Sequence, residues 1–165
     1  MKKLTITICL TIAVLLGSIG ASESADYQVG LTAYEKGDYA TALREWTPLA
    51  EQGSGDAQYL LGMMYRGGQG VPKDYKSAVK WWTLAAKQGH ALAQYNLGFM
   101  YRQGKGVPKN MVYAHMWWVI AGSSGKSKNA SKIKSVPKKM VRGLTATRMN
   151  SNQIEKAQKL ARECV

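Results

Sequence analysis

A serine followed three residues later by a lysine is the spacing of acyl-transfer enzymes of the penicillin-recognising class, and it occurs at Ser77 with Lys80, Ser131 with Lys134 and Ser135 with Lys138. In that class the serine is the nucleophile. Matches of this kind arise by chance in a chain with 23 lysines and arginines, and neither S-D-N nor K-T-G, the partner motifs, is present. The residue 36 positions beyond Ser77 is Tyr113, so the serine is not repeated where the surrounding pattern is. His90 and His115 are the two histidines. Neither has a second ligand at metal spacing, and both read as structural or exposed. No glycine-rich phosphate fingerprint follows a strand, because no stretch reads as a strand. These residues point to a non-enzymatic chain with no cofactor and no metal.

The elements that carry them repeat. AQYLLGMMYRGGQGVPKDYKSAVKWWTLAAKQGHA from Ala57 recurs as AQYNLGFMYRQGKGVPKNMVYAHMWWVIAGSSGKS from Ala93, 36 residues on. A period of that length marks a repeat array, in which each helical hairpin must stack on a neighbour to bury its apolar face. Each unit reads as helix, loop, helix, loop. The first helix, around Ala57 to Arg66, carries Ala57, Leu60, Leu61 and Met64 at helical spacing and stops at Gly67 and Gly68. The loop GGQGVPK leads to Asp74, and GKGVPK to Asn110, both N-cap types. The second helix runs from Tyr75 to about Gln88, with Ala78, Val79, Trp82, Ala85 and Ala86 inward.

A degenerate unit lies upstream. GDYATALREWTPLAEQG sets Asp38, Tyr39, Ala42, Trp46, Ala50 and Gly53 each 36 residues before Asp74, Tyr75, Ala78, Trp82, Ala86 and Gly89, whereas Gly30 precedes Gly62 by 32. Its internal loop is therefore four residues shorter. Gly62 and Gly98 sit inside helices, where glycine costs about 1 kcal/mol against alanine. The expected compensation is a close approach to Ala78 and Ala114 on the paired helices, beside the bulky Trp82 and Trp118. Trp46, Trp82 and Trp118 read as core, each burying about 200 Å².

At 165 residues the chain fits one domain. Lys2 and Lys3 precede an apolar run, Leu4 to Ile19, then Gly20, Ala21 and Ser22. That is the layout of a secretory signal over residues 1–22, and the run falls short of the roughly 20 apolar residues needed to span a membrane. The expectation is an exported chain, periplasmic or secreted, with no transmembrane segment after cleavage. Cys9 would leave with the signal, and Cys164 would remain as a single thiol with no internal partner. Residues 23–125 form the repeat domain, in units of about 24–55, 56–91 and 92–125. Residues 126–149 read as a basic linker or broken helix, because Pro137 interrupts them. Residues 150–165 read as a C-terminal cap helix: Asn150 and Gln153 make a capping box, Met149 and Ile154 a staple, and Ile154, Ala157, Leu160, Ala161 and Cys164 one apolar face.

The net charge of +13 is uneven. From Glu23 to Gly125 there are 10 Lys and Arg against 8 Asp and Glu, and from Lys126 onward 11 against 2. Lys132, Lys134, Lys138, Lys139 and Arg142 could hold an anionic lipid or polysaccharide of an envelope surface. Nucleic acid is the poorest target, since the tail has no interleaved aromatics to stack bases.

The repeats resemble the Sel-one-like repeat family, a relative of the tetratricopeptide repeat, over roughly Tyr27 to Gly125, and the shorter first unit resembles the tetratricopeptide form. The tail MNSNQIEKAQKLARECV is similar to the closing segment of exported bacterial members, although Pro137 departs from the continuous cap helix expected there. The resemblance implies an all-α fold: a short right-handed solenoid of three helical hairpins with a C-terminal capping helix. It implies a scaffold or adaptor for a protein or peptide partner, whose identity it leaves open. Some cysteine-rich relatives are described as β-lactamases, but the paired cysteines they carry are absent here. Carried onto this chain, the groove-facing positions of such repeats are Tyr27, Leu31 and Tyr34, then Tyr59, Met63 and Arg66, then Tyr95, Phe99 and Arg102. Aromatics and arginine are the types that anchor interfaces.

Overall fold

The computed structural model describes residues 26–123 and 149–163. Helices α1 (residues 26–35) and α2 (Tyr39–Glu51) make the first hairpin, α3 (Gly55–Gly67) and α4 (Tyr75–Lys87) the second, and α5 (Ala91–Gln103) and α6 (Met111–Ser123) the third. Helix α7 (Ser151–Glu163) packs on α6, and the described residues contain no strand. The chain is thus an all-α stack of hairpins closed by a further helix. The secretory-signal reading of residues 1–22, with Cys9, and the basic stretch from Lys126 to Arg142, with Pro137, lie outside the described residues, as does Cys164.

Side chains at the helix starts set the boundaries. Asp38, Ser54 and Asp74 accept from the first-turn amides of Thr41, Ala57 and Lys76, and Asn110 accepts from Val112 and Tyr113. In the third unit His90 stands where Ser54 stands in the second, and its Nδ1 accepts from the Ala93 amide at 3.2 Å. The box at α7 is as its sequence expects: the Gln153 amide donates to Asn150 Oδ1 at 2.9 Å and the Asn150 amide to Gln153 Oε1 at 3.2 Å. The Ser77 hydroxyl donates to Asp74 Oδ2 at 2.6 Å, so it strengthens a cap, while Lys80 lies over the Trp81 ring.

The helix-interior glycines correct one expectation. A Cβ at Gly62 or Gly98 would overlap the indole of Trp82 or Trp118, not the methyl group of Ala78 or Ala114. The first unit has the same arrangement, Gly30 under Trp46. In all three the indole Nε1 donates to the carbonyl three residues before the glycine, Trp46 to Tyr27 at 3.2 Å, Trp82 to Tyr59 at 3.1 Å and Trp118 to Tyr95 at 3.1 Å. The indole needs that acceptor because it is wholly buried: all three tryptophans have 0% exposure. Glycine is therefore what lets a large ring come close enough to a helix backbone to hydrogen-bond to it.

Two further contacts tie each hairpin to the one before it. Gln58 and Gln94, both buried, donate to the carbonyls of Ala50 and Ala86, near the end of the preceding second helix. Gly70 and Gly106, at φ +71° and +73°, press the loops onto Tyr39 and Tyr75 at the start of the preceding second helix, leaving no room for a Cβ. At the far end Ala157 and Ala161 bury against Met116 and Ile120 with Leu160 and Met149 beside them, so α7 covers the third unit.

His115 occupies the position of Val79 in the third unit and is 6% exposed, with no hydrogen bond to either nitrogen among the described residues. Burial disfavours the imidazolium and lowers its pKa from the ordinary 6.5. Because the unfolded chain then binds this proton more readily, the native state loses stability as pH falls below about 6.5. His115→Val is expected to reduce the drop in melting temperature between about pH 7.5 and pH 5. An equal drop in wild type and variant would assign acid sensitivity to other groups.

Candidate functional site

The stacked first helices, with the loops that follow them, enclose a cavity of about 890 Å³ on the concave side. Tyr34, Met63, Arg66, Tyr95 and Phe99 line it, so five of the nine groove positions come together. The other four are not on its wall. Tyr27 packs against Trp46 with ring centroids 6.3 Å apart, and Leu31 joins the same core. Tyr59 stacks on His90 at 4.5 Å and packs against the second unit's core, and burial raises its phenol pKa. Arg102 is exposed at the end of α5, away from the cavity lining. Of the basic-tail residues, Lys132, Lys134, Lys138, Lys139 and Arg142 all lie outside the described residues.

The lining of the cavity is of two kinds. Met63, Tyr95 and Phe99 supply the apolar side, with the Tyr95 and Phe99 rings edge to face at 4.9 Å and Phe99 in turn edge to face on Trp118 at 5.4 Å. Phe99 is thus held by the core and presents part of its ring outward. Asn96 steadies the thioether, its Nδ2 lying 3.6 Å from Met63 Sδ. The polar side comes from residues that sequence reading missed: Gln69, Lys73, Tyr75, Gln103 and Lys105. Lys73 and Lys105 hold their ammonium groups 5.1 Å and 5.4 Å from the Tyr75 ring centroid. A hydrogen bond from Lys73, and then the charges of Lys105, Lys73 and Arg66, lower the Tyr75 phenol pKa. The repeated GVPK loop was a signal for this wall, because Gly68 at φ +73° and Pro72 curl it back toward the groove.

His90 Nε2 lies at ion-pair distance, 3.3 Å, from Asp56 Oδ1. With its cap and its stack on Tyr59 this ring is a structural rivet between the second and third units. Among the described residues no three His, Cys, Asp or Glu side chains cluster so as to hold a metal, and no helix is long and apolar enough to cross a membrane.

Paired helices stacked at a fixed period, with a groove on their concave side, define a helical-repeat solenoid. The family model described as the Sel1 repeat matches residues 55–90 and 91–126, so the chain carries two Sel1 repeats. Two solved structures share the fold. A protective antigen present in uropathogenic Escherichia coli strains, displaying an SLR fold, superimposes with a TM-score of 0.73 at 26% identity over 86% of this chain. A Sel1 repeat protein from Oxalobacter formigenes gives a TM-score of 0.61 at 27% identity over 84%. This chain spans 29% of the length of the first and 55% of the second. No curated protein matches the sequence. Proteins built from Sel1 repeats commonly serve as protein-interaction scaffolds.

Proposed function

We propose that the chain is an exported, non-enzymatic scaffold that holds an acidic peptide with spaced apolar residues, presented by a protein partner, in the concave groove. The observation that carries this reading is the mixed lining of the cavity, with Met63, Tyr95 and Phe99 apolar and Arg66, Lys73 and Lys105 basic. Rigid aromatic rings give a large contact area at little entropy cost, and the basic groups select for acidic residues. Export rests on the charge and hydropathy layout of residues 1–22, and the fold shared with a protective antigen is in keeping with it.

The test compares polypeptides retained by the immobilised wild type and by Met63→Ala with Tyr95→Ala. The pair avoids Tyr59, whose ring supports the fold, and should leave the circular dichroism unchanged. Retention of the specific partner is expected to fall by at least tenfold, about 1.4 kcal/mol. A folded variant that retains the same partner as well as wild type does would place binding on another face.

A further inference from the structure

Repeat symmetry puts two junctions in the same register but gives them different residues. At the first, the Tyr34 hydroxyl donates to Gln69 Oε1 at 2.9 Å and Gln69 Nε2 donates to the Tyr39 hydroxyl at 3.2 Å. That junction is neutral and satisfies itself. At the second, Arg66 stands where Tyr34 stood, Lys105 where Gln69 stood and Tyr75 where Tyr39 stood. Lys73 adds a third cation, within 5.1 Å of the Tyr75 ring centroid. No carboxylate lines the cavity, and the ion pairs of Arg44 with Glu45 and of Lys159 with Glu163 lie elsewhere. Three cations line the cavity here, two of them at the Tyr75 ring, whereas the matched Tyr34, Gln69 and Tyr39 are neutral.

We propose that Arg66, Lys73 and Lys105 form an anion site that takes a carboxylate side chain of a bound polypeptide. The apolar residue next to that carboxylate lies on Met63 and Tyr95. This rests on the groove being the binding face and adds that the three cations act together as one seat for a single carboxylate, at the junction of the second and third units. Like charges held close repel, and a carboxylate seated among them relieves that repulsion as it forms its own charge-assisted hydrogen bonds. The Tyr75 hydroxyl supplies a neutral donor at the same spot. A polypeptide fits better than a lone anion because the adjoining wall of Met63, Tyr95 and Phe99 has no use for one.

The probes are a fluorescein-labelled nonapeptide with two glutamates flanking a Phe-Leu pair, and its twin with glutamine in place of both. Fluorescence anisotropy is read on the wild type and on Lys73→Glu with Lys105→Glu. Both lysines are exposed, so far-UV circular dichroism should match. The wild type is expected to bind the glutamate peptide about tenfold more tightly than its twin, through several screened pairs acting together, and the preference should vanish in the variant and shrink as salt rises. Equal binding of the two peptides by wild type overturns the anion site while leaving the groove intact. A glutamate preference that survives in the variant also overturns it. If neither peptide binds, the anion site is wrong, and the groove is judged separately by the Met63 and Tyr95 variant.

Discussion

Replacing Gly98 with leucine is expected to lower the melting temperature by roughly 5–15 °C, from an overpacking cost of about 1–3 kcal/mol or more. Even the first carbon of the new side chain falls on the Trp118 indole, so the ring must leave its place and surrender its hydrogen bond to the Tyr95 carbonyl. Gly98→Ala should show the same effect in milder form, and Trp118→Leu should cost less when added to Gly98→Leu than it does in the wild type, because the two changes act on one contact. Ser77→Ala is the contrast. It removes one cap-supporting hydrogen bond, worth about 1 kcal/mol or less at a part-exposed site. Differential scanning calorimetry of the wild type and these variants decides the matter, and equal melting temperatures for Gly98→Leu and Ser77→Ala would refute the glycine-tryptophan contact.

Trp82→Ala is expected to be the more damaging of two matched truncations. Each of Trp82 and Trp46 is fully buried, and deleting such a ring costs about 3–5 kcal/mol in lost burial and residual cavity. Their places in the array differ. The second hairpin is held on both sides, by Gln58 reaching to Ala50 and by Gln94 reaching back to Ala86. Losing its core therefore uncouples the first unit from the third, whereas Trp46→Ala loosens one end and leaves two stacked units with their cap. Urea unfolding followed by circular dichroism should show a lower midpoint and a shallower slope for Trp82→Ala than for Trp46→Ala. Identical curves would mean that the whole array unfolds as one unit whatever hairpin is damaged.

Much of this architecture was legible because the period fixes it. Caps at Asp38, Asp74 and Asn110, glycine stops, and three buried tryptophans all followed from types recurring at set offsets, and the Asn150 cap from its own capping box. The Gly62 contact was harder. Ala78 and Trp82 are one turn apart on the inner face of α4, and which of them lies over the glycine depends on how the two helices cross, which periodicity does not encode. Tyr59 was unreadable for a related reason. Its ring is claimed by His90, a residue from the next linker that arrives only once the units have stacked. The cationic wall escaped because it is assembled from loops, and the side chains of a loop can be placed only when its positive-φ glycines have set its path. The exchange of Gln69 for Lys105 at otherwise matched positions was visible in the alignment of the two copies, and it marks the difference between the junctions.

The backward direction of the inter-hairpin contacts has a consequence at the level of the gene. Gln58 and Gln94 each bond to the hairpin before them, Gly70 and Gly106 each press on it, and the glycine-tryptophan contact is complete within one hairpin. Unequal recombination between the two similar 36-codon stretches would insert or delete one whole period wherever the crossover falls, mid-helix or mid-loop, because the period restores the phase. Every fastener then finds its acceptor with no further mutation. Groove length, and with it the length of peptide that can be read, can thus change in a single genetic event, and an insertion does so while adding to the residues that line the groove.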